Sequence, residues 1–419
     1  MSVDQVQVEL DDAGLGFAVD VGVLSRERKT SVEVVRFAYS QAYLEDTAKA
    51  FAIDPELSLF PGDFFARRSN RLFGIFRDTA PDRWGRVLME RREALDAHRA
   101  QRKPRWLSEW DFLLGVSDFA RVGALRLREV GDEKRYLDHR ALGVPPATRL
   151  RELEAICLAL DEAGSEERSE YESWLRQLLA PGSSLGGARP KATYSATDGT
   201  LWIAKFPAKQ DRHDVGAWEF LAHELAERAK LRVPQADCLK LTAAHHTFAV
   251  RRFDRSAAGR HLYMSAMTAL QLDDGDSASY LDVAQALQDL GDPETLAEDL
   301  AELYRRLVFN VLVGNRDDHL RNHGFLRGAD GWRLAPAFDL NPNPDKSEHA
   351  LTLDETTARP SVAAVRATSE LYRLSSAGAA RIETEVRAAF DDWRHMARQI
   401  GIPRHEIERL SAVIDPARE

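Results

Sequence analysis

Cysteine is scarce in this chain: Cys157 and Cys238 are the only two among 419 residues. Both stand among apolar neighbours, which argues against a disulfide scaffold or a cysteine metal site and points to two buried thiols in a reducing cytosol. No apolar run reaches the roughly 18 residues that a membrane-crossing helix needs. The opening stretch MSVDQVQVELDDAG is acidic and lacks the basic and apolar segments of a secretion signal, so a cytoplasmic protein without a membrane partner is expected. Positive charge is in deficit as well, with 57 Lys and Arg against 67 Asp and Glu, a net charge of −10. An overall basic face that would neutralise many nucleic-acid phosphates is therefore not indicated. The one locally basic stretch, from Arg91 to Arg105, reads as a solvated helix end, with a nucleic-acid or partner-docking patch as the alternative. Internal repeats and low-complexity segments are missing too.

What remains is ordinary globular composition, 44% apolar and 30% charged, in a chain long enough for about two or three domains. The first 45 residues alternate in short β-rich runs (VQVEL, GFAVDVGVL, VEVVRFAY). From Asp82 to about Ala97 the period becomes helical, with Trp84, Val87, Leu88 and Leu95 on the apolar face. A strand near 123–129 follows, and GVPPAT (143–148) reads as a linker. Beyond it, 148–180 is mostly helical, and PGSSLGGARPK (181–191) is a glycine- and serine-rich loop leading into two strands, KATYSA and GTLWIAKFP. A helix from Val215 to Lys230, with Asp214 as N-cap, precedes the strands ADCLKLT and HTFAVRRF. From about 279 the chain reads as largely helical. The order implies an α+β protein in three parts: an N-terminal α/β subdomain at 1–145, a mixed lobe at 146–255, and an all-helical lobe at 256–419.

The chemistry-bearing residues fall into the last two parts. The helix DLAELYRRLVFNVLV places Leu300, Leu303, Tyr304, Leu307, Val308 and Val311 on one face and stops at Gly314. A polar loop tethered to such a helix can hold side chains firmly. In that loop, Asp317 and Asn322 stand in the D-x-x-x-x-N relation of protein-kinase catalytic loops, with aspartate as base and asparagine on Mg²⁺. Asp318 could compete for the base role, but only Asp317 has the required spacing to Asn322. Asp339 follows the short strand-like pair HGFLRG and GWRLAP, where a second metal ligand is expected. Upstream, Lys205 sits at the end of an apolar strand, flanked by Ile203 and Phe206, and an unpaired ammonium there would be costly. Glu219 on the next helix is its expected partner. The glycine-rich loop lacks both GxxxxGK[ST] and GxGxxG, so alone it is a weak phosphate signal, although its backbone N–H groups could cradle oxygens.

With these residues in view, the chain resembles the HipA family of toxin–antitoxin kinases over most of its length. SSLGGARPK, WIAKFP, VRRFDR, FNVLVGNRDDHLRN and LAPAFDLNP occur in the family's order and spacing, and DTAPDRWGR and FLLGVSDFARVGALRL look like its N-terminal domain. The resemblance implies a two-lobed, protein-kinase-like fold and an ATP- and Mg²⁺-dependent serine/threonine protein kinase. It casts Asp317 as catalytic base, Lys205 as the ATP-binding lysine, and Asn322 and Asp339 as Mg²⁺ ligands. His319, beside the base, would orient the loop rather than transfer protons. ATP would be held by Ser184, Leu185, Gly186, Gly187 and Ala188 of the loop, by Lys205 with Glu219, and by the Arg251–Phe253 backbone at the adenine. Arg252, Asp254 and Arg255 beside it would form structural ion pairs. Ser184, or the adjacent Ser183, would be autophosphorylated, silencing the kinase. The implied partners are a protein substrate, such as an aminoacyl-tRNA synthetase or another translation component, and a helix-turn-helix antitoxin of HipB type through which DNA is met indirectly. The rival readings are a small-molecule phosphotransferase of aminoglycoside-kinase type and a non-catalytic corepressor or binding module.

Overall fold

The computed structural model describes residues 4–29, 32–132, 135–137, 144–182, 187, 189–243 and 245–418. In chain order, strands β1 (Gln5–Asp12), β2 (Phe17–Lys29) and β3 (Val32–Tyr39) lead to α1 (Gln41–Glu45), β4 (Phe64–Phe65) and α2 (Gly74–Asp78). Helices α3 (Arg83–Arg99) and α4 (Glu109–Leu114) precede β5 (Leu125–Glu129), α5 (Leu150–Leu160) and α6 (Tyr171–Gly182). Then come β6 (Lys191–Ser195), β7 (Leu201–Lys205), α7 (Val215–Arg228), β8 (Ala236–Leu239) and β9 (Thr247–Arg251). Short strands β10 (Arg255–Ser256), β11 (Gly259–Arg260) and β12 (Tyr263–Ser265) lead to α8 (Ala266–Ala269), α9 (Tyr280–Leu290) and α10 (Leu296–Val313). The hairpin β13 (Gly324–Arg327) and β14 (Trp332–Leu334) is followed by α11 (Val362–Ala367), α12 (Ser376–Ala388), α13 (Trp393–Ile400) and α14 (Arg404–Arg418). Among the described residues no helix is long and apolar enough to cross a membrane.

The chain divides into two compact units, Met1–Ala204 with Asp254–Met264, and Lys205–Phe253 with Ser265–Glu419. The first is built on an antiparallel sheet in the order β4-β3-β2-β1-β5. Its period-two pattern is clean on β1, where Val6, Val8, Leu10 and Asp12 are buried and the residues between them are not. The buried Asp12 carboxylate accepts from the backbone N–H groups of Gly14 at 2.7 Å, Leu15 at 3.0 Å and Leu262 at 2.5 Å. On α3, Trp84 and Leu88 are buried as the pattern predicts, whereas Val87 and Leu95 are only half-buried. Gly85, Glu93 and Ala97 take the remaining buried places, Glu93 because it is paired with Arg102 and Arg105. The basic stretch is thus engaged in ion pairs inside this unit, including Arg92–Asp96, Arg99–Glu172 and Arg105–Asp111.

The second unit centres on α10, which is buried around almost its whole circumference and packs against α9, α11, α12 and α14. The face expected from Leu300, Leu303, Tyr304, Leu307, Val308 and Val311 is buried throughout. This region is not helical to its end, since β13 and β14 pair antiparallel from Phe325–Leu334 to Arg327–Trp332. The alternating stretches HGFLRG and GWRLAP account for that difference. Cys157 is buried, whereas Cys238, on the outer strand β8, is only half-buried. Burial raises both thiols, Cys238 to about 12, so neither is poised to react.

Candidate active site

Two clusters of polar side chains in the second unit gather the residues that the sequence singled out. The first forms around Lys205 at the end of β7. Helix α7 is capped by Asp214, whose side chain accepts from Ala217 N–H at 3.1 Å, and its buried stripe of Trp218, Leu221, Ala222 and Leu225 sets the rotation that turns Glu219 inward. Glu219 Oε1 lies 2.5 Å from Lys205 Nζ, with the glutamate side chain only 3% exposed. The same ammonium lies 2.7 Å from Asp339 Oδ1. Burial would lower the lysine, but the carboxylates of Asp339 and Glu219 outweigh it and raise it well above its ordinary value. Lys205 is a fixed cation held between two anions.

Asp339 sits at φ 58, in the left-handed region that non-glycine residues seldom occupy. Backbone strain of this kind persists where surrounding structure enforces it, commonly at functional sites. Here the preceding Phe338 packs on Phe253 with ring centroids 5.4 Å apart, and Ala337 N–H donates to Arg232 O at 2.7 Å. Asn341 donates its amide to Asp339 Oδ1 at 3.2 Å, while its own Oδ1 is buried without a hydrogen-bond partner. An orphaned amide oxygen beside a half-exposed carboxylate is a donor set suited to a hard cation. Among the described residues no group of three or more His, Cys, Asp or Glu could hold a metal on its own. A divalent ion at Asp339 would therefore draw on amide oxygens and its ligand's oxygens.

The second cluster is the loop after α10. Gly314 ends the helix at φ 75 and donates to Asn310 O. A Cβ at this position would stand 2.2 Å from Val413 Cγ1 of α14, so both conformation and packing require glycine. The loop then splits two adjacent aspartates. Asp318 is buried and accepts at Oδ2 from Asn310 Nδ2 at 2.8 Å and from Tyr280 OH, with His323 Nε2 at 2.7 Å. Burial pushes the Asp318 carboxyl up, but the His323 ring and these hydrogen bonds outweigh it and hold the group below its ordinary value. The Tyr280 hydroxyl is driven far up by burial and by Asp318. Asp318 Oδ2 is thus engaged three times over, in a side chain only 3% exposed. Asp317, by contrast, is exposed and, among the described residues, ion-paired only with Lys346 through Oδ1.

Asn322 is buried in a 3₁₀ turn whose N–H donates to His319 O at 2.8 Å, and its side-chain amide reaches Asp317 O at 3.5 Å. His319 itself is exposed; the buried histidine that braces the loop is His323, four residues on. The loop and the Asp339 segment are joined by the backbone, with Asn343 N–H on Gly314 O at 2.8 Å and Ala350 N–H on Arg316 O at 3.1 Å. Lys205, Glu219 and Asp339 are thus in direct contact, and Asp317 and Asn322 share one loop.

The remaining predicted residues are placed less completely. Arg251 N–H is taken by Gln235 O at 2.8 Å, extending the β8–β9 ladder, so an adenine contact at this residue would use its carbonyl. Phe253 is half-buried against Phe338. Asp254 and Arg255 are structural, as expected: they pair at 2.7 Å and bind the backbone of Gly123 and Arg121 in the first unit. Ser183, Ser184, Leu185, Gly186 and Ala188 lie outside the described residues. Gly187 is described: its carbonyl accepts from Lys191 Nζ at 3.1 Å, and Lys191 is ion-paired with Asp82 at 2.8 Å. The sequence reading missed this buried pair, together with Asn341, Lys346 and the Tyr280–Asp318–His323 group. Only the lysine that closes the glycine-rich loop carried a local signal.

Comparison with known proteins gives the family and the fold. The chain is 31% identical over 157 residues to "Putative kinase Y4dM" of Sinorhizobium fredii, a match covering 34% of this chain and 37% of that protein. The chain thus spans little more than a third of the curated relative it matches. Its fold matches a chain in the structure of the Shewanella oneidensis MR-1 toxin–antitoxin system HipA, HipB and its operator DNA complex, with a TM-score of 0.67 at 15% identity, covering 98% of this chain and 95% of that one. The fold is accordingly the α+β, kinase-like fold of HipA. The model of the HipA-like C-terminal domain matches residues 183–413, more than half of the chain and every residue of both clusters. This protein belongs to the HipA family.

Proposed function

We propose that the chain is an ATP-dependent serine/threonine protein kinase, with Mg²⁺–ATP as phosphoryl donor. The observation that carries this reading is the shared ammonium of Lys205, fixed by Glu219 and Asp339, in the same unit as a loop that buries Asp318 and exposes Asp317. Lys205 binds the nucleotide's phosphates, and Glu219 keeps the ammonium aimed. Asn322, Asp339 and Asn341 would hold the divalent ion, which when bound neutralises charge on the phosphates. Asp317 orients the acceptor hydroxyl and takes its proton, a contribution of about 10²–10⁴-fold. Positioning and charge neutralisation supply most of the remaining acceleration.

The finer expectations belong to the same proposal. Ser184 or Ser183 is the autophosphorylation site, and phosphate there would repel the nucleotide's phosphates. The HipA of Shewanella oneidensis was solved with HipB and operator DNA. By that likeness a helix-turn-helix antitoxin is the proposed partner here, with DNA reached through it, in the cytoplasm. A protein of the translation apparatus is the proposed substrate. The test is transfer from [γ-³²P]ATP in the presence of Mg²⁺, followed by mass spectrometry. Label should appear on Ser184 or Ser183 of the wild type and be lost in Asp317→Asn. Equal labelling of the two proteins would refute the assignment.

A further inference from the structure

Neither arginine of the loop that carries Asp317 is paired with that carboxylate. Arg321 is paired with Asp274 at 2.7 Å, and Arg316 directs its guanidinium to the carbonyl of Lys346. His319 is exposed and Leu320 is buried. The positive charge on Asp317 comes instead from a segment 29 residues further on, where Lys346 Nζ binds Asp317 Oδ1. The two side chains are 46% and 56% exposed, and an isolated surface pair of this kind contributes little to stability.

This pair is not isolated. On one side of Lys346, Asn343 N–H donates to Gly314 O at 2.8 Å, and Arg409 of α14 grips both oxygens of Asp345 at 2.6 Å. On the other side, Ala350 N–H donates to Arg316 O at 3.1 Å, and His349 N–H to Ala358 O at 2.8 Å. The carbonyl of Lys346 itself is held by Arg316. The residue that delivers the ammonium is thus fastened to the loop that carries the carboxylate, and to α14 behind it. Contacts this numerous hold a functional group in place in a way that a solvated side chain cannot.

We propose that Lys346 is a further functional residue of the phosphotransfer site: it positions Asp317 and then neutralises charge on the transferred phosphoryl group. The inference rests on the phosphotransfer reading above. The ammonium occupies Oδ1 and leaves Oδ2 for the acceptor hydroxyl. In the transfer, the hydroxyl proton passes to Asp317 Oδ2 as the hydroxyl oxygen bonds to the γ-phosphorus. The bond from that phosphorus to the β,γ-bridging oxygen breaks, and ADP leaves with its electron pair. As Asp317 is neutralised, the Lys346 ammonium loses its partner while negative charge is spread over the phosphoryl oxygens. An interaction that strengthens only at this point accelerates the step rather than tightening ground-state binding.

The test compares wild type with Lys346→Met and Lys346→Arg, each checked for an unchanged melting temperature. In steady-state ADP formation from Mg²⁺–ATP, Lys346→Met should lower kcat by about 10- to 100-fold with KM for ATP within about twofold, and Lys346→Arg should recover most of the loss. By calorimetry, Lys346→Met should bind ADP as wild type does but lose at least about tenfold in affinity for ADP with aluminium fluoride, a mimic of the transferring phosphoryl group. A kcat unchanged in Lys346→Met would make the pair a surface contact, and a raised kcat would make Lys346 an inhibitory lock; either overturns the proposal. A wild type that forms no ADP would overturn the phosphotransfer reading and this inference with it, whereas an active wild type with an equally active Lys346→Met overturns this inference alone.

Discussion

Asp317 and Asp318 are neighbours in sequence with opposite surroundings: the side chain of Asp317 is 56% exposed, and that of Asp318 is 3% exposed against His323. The same substitution should therefore have opposite consequences at the two positions. Asp318→Ala strands His323, Tyr280 and Asn310 in a buried pocket and should cost about 3–5 kcal/mol in urea unfolding. Asp317→Ala should change stability by less than about 1 kcal/mol while abolishing phosphotransfer.

A buried histidine gives the second unit an acid sensitivity of its own. His349 is pulled down to about 4, first by burial and also by the nearby Arg316, with Asp318 opposing. Because the unfolded chain takes up a proton near pH 6.5 that the folded chain refuses, stability should fall as pH drops from about 6.5 to about 4, by about 3 kcal/mol in all. Asp318 has the depressed-carboxylate sign, so its contribution is complete above its ordinary value and is lost only below about pH 4. Melting temperatures followed across this range should flatten between pH 6.5 and 4 in His349→Leu. A curve that stays as steep would remove His349 as the cause.

Lys205→Met should do more than remove a phosphate contact. It leaves Glu219, 3% exposed, as a buried carboxylate without its ammonium. A loss of about 3 kcal/mol is expected, and the double variant Lys205→Met with Glu219→Gln should be more stable than the single one. Thermal denaturation of the two proteins checks this; a double variant no more stable would mean the pair is not coupled.

Gly314→Ala should distort the loop from its anchor. The new methyl group is strained at φ 75 and meets Val413 Cγ1 at 2.2 Å. The backbone penalty alone is about 1 kcal/mol, and the clash adds to it. Adding Val413→Ala should restore part of the stability in denaturant unfolding, because it removes the clash but not the strain. No recovery would assign the whole cost to the backbone.

Elements governed by local rules were the most legible in the sequence. Asp214 caps α7, the apolar stripe of α10 is buried, and Gly314 ends that helix in the left-handed conformation, each as its neighbours in sequence dictate. The contact of Lys205 with Glu219 was legible because strand and helix each carry a recognisable burial pattern. The brace behind the loop was not: Asp318 is satisfied by Tyr280, 38 residues upstream, and by His323, and no periodicity links those positions. Asn341 and Lys346 lie in an irregular segment where side-chain direction depends on tertiary contacts alone. The half-burial of Cys238 followed from the outer position of β8, which composition cannot express.

The most direct test of the central claim, that the Lys205–Glu219–Asp339 cluster receives the nucleotide's phosphates, is a calorimetric titration with Mg²⁺–ATP. Wild type and Asp317→Asn should bind with similar affinity, because the role proposed for the loop aspartate is on the acceptor hydroxyl. Lys205→Met should lose at least about tenfold. Wild-type affinity in folded Lys205→Met, or no binding by the wild type itself, would contradict the account.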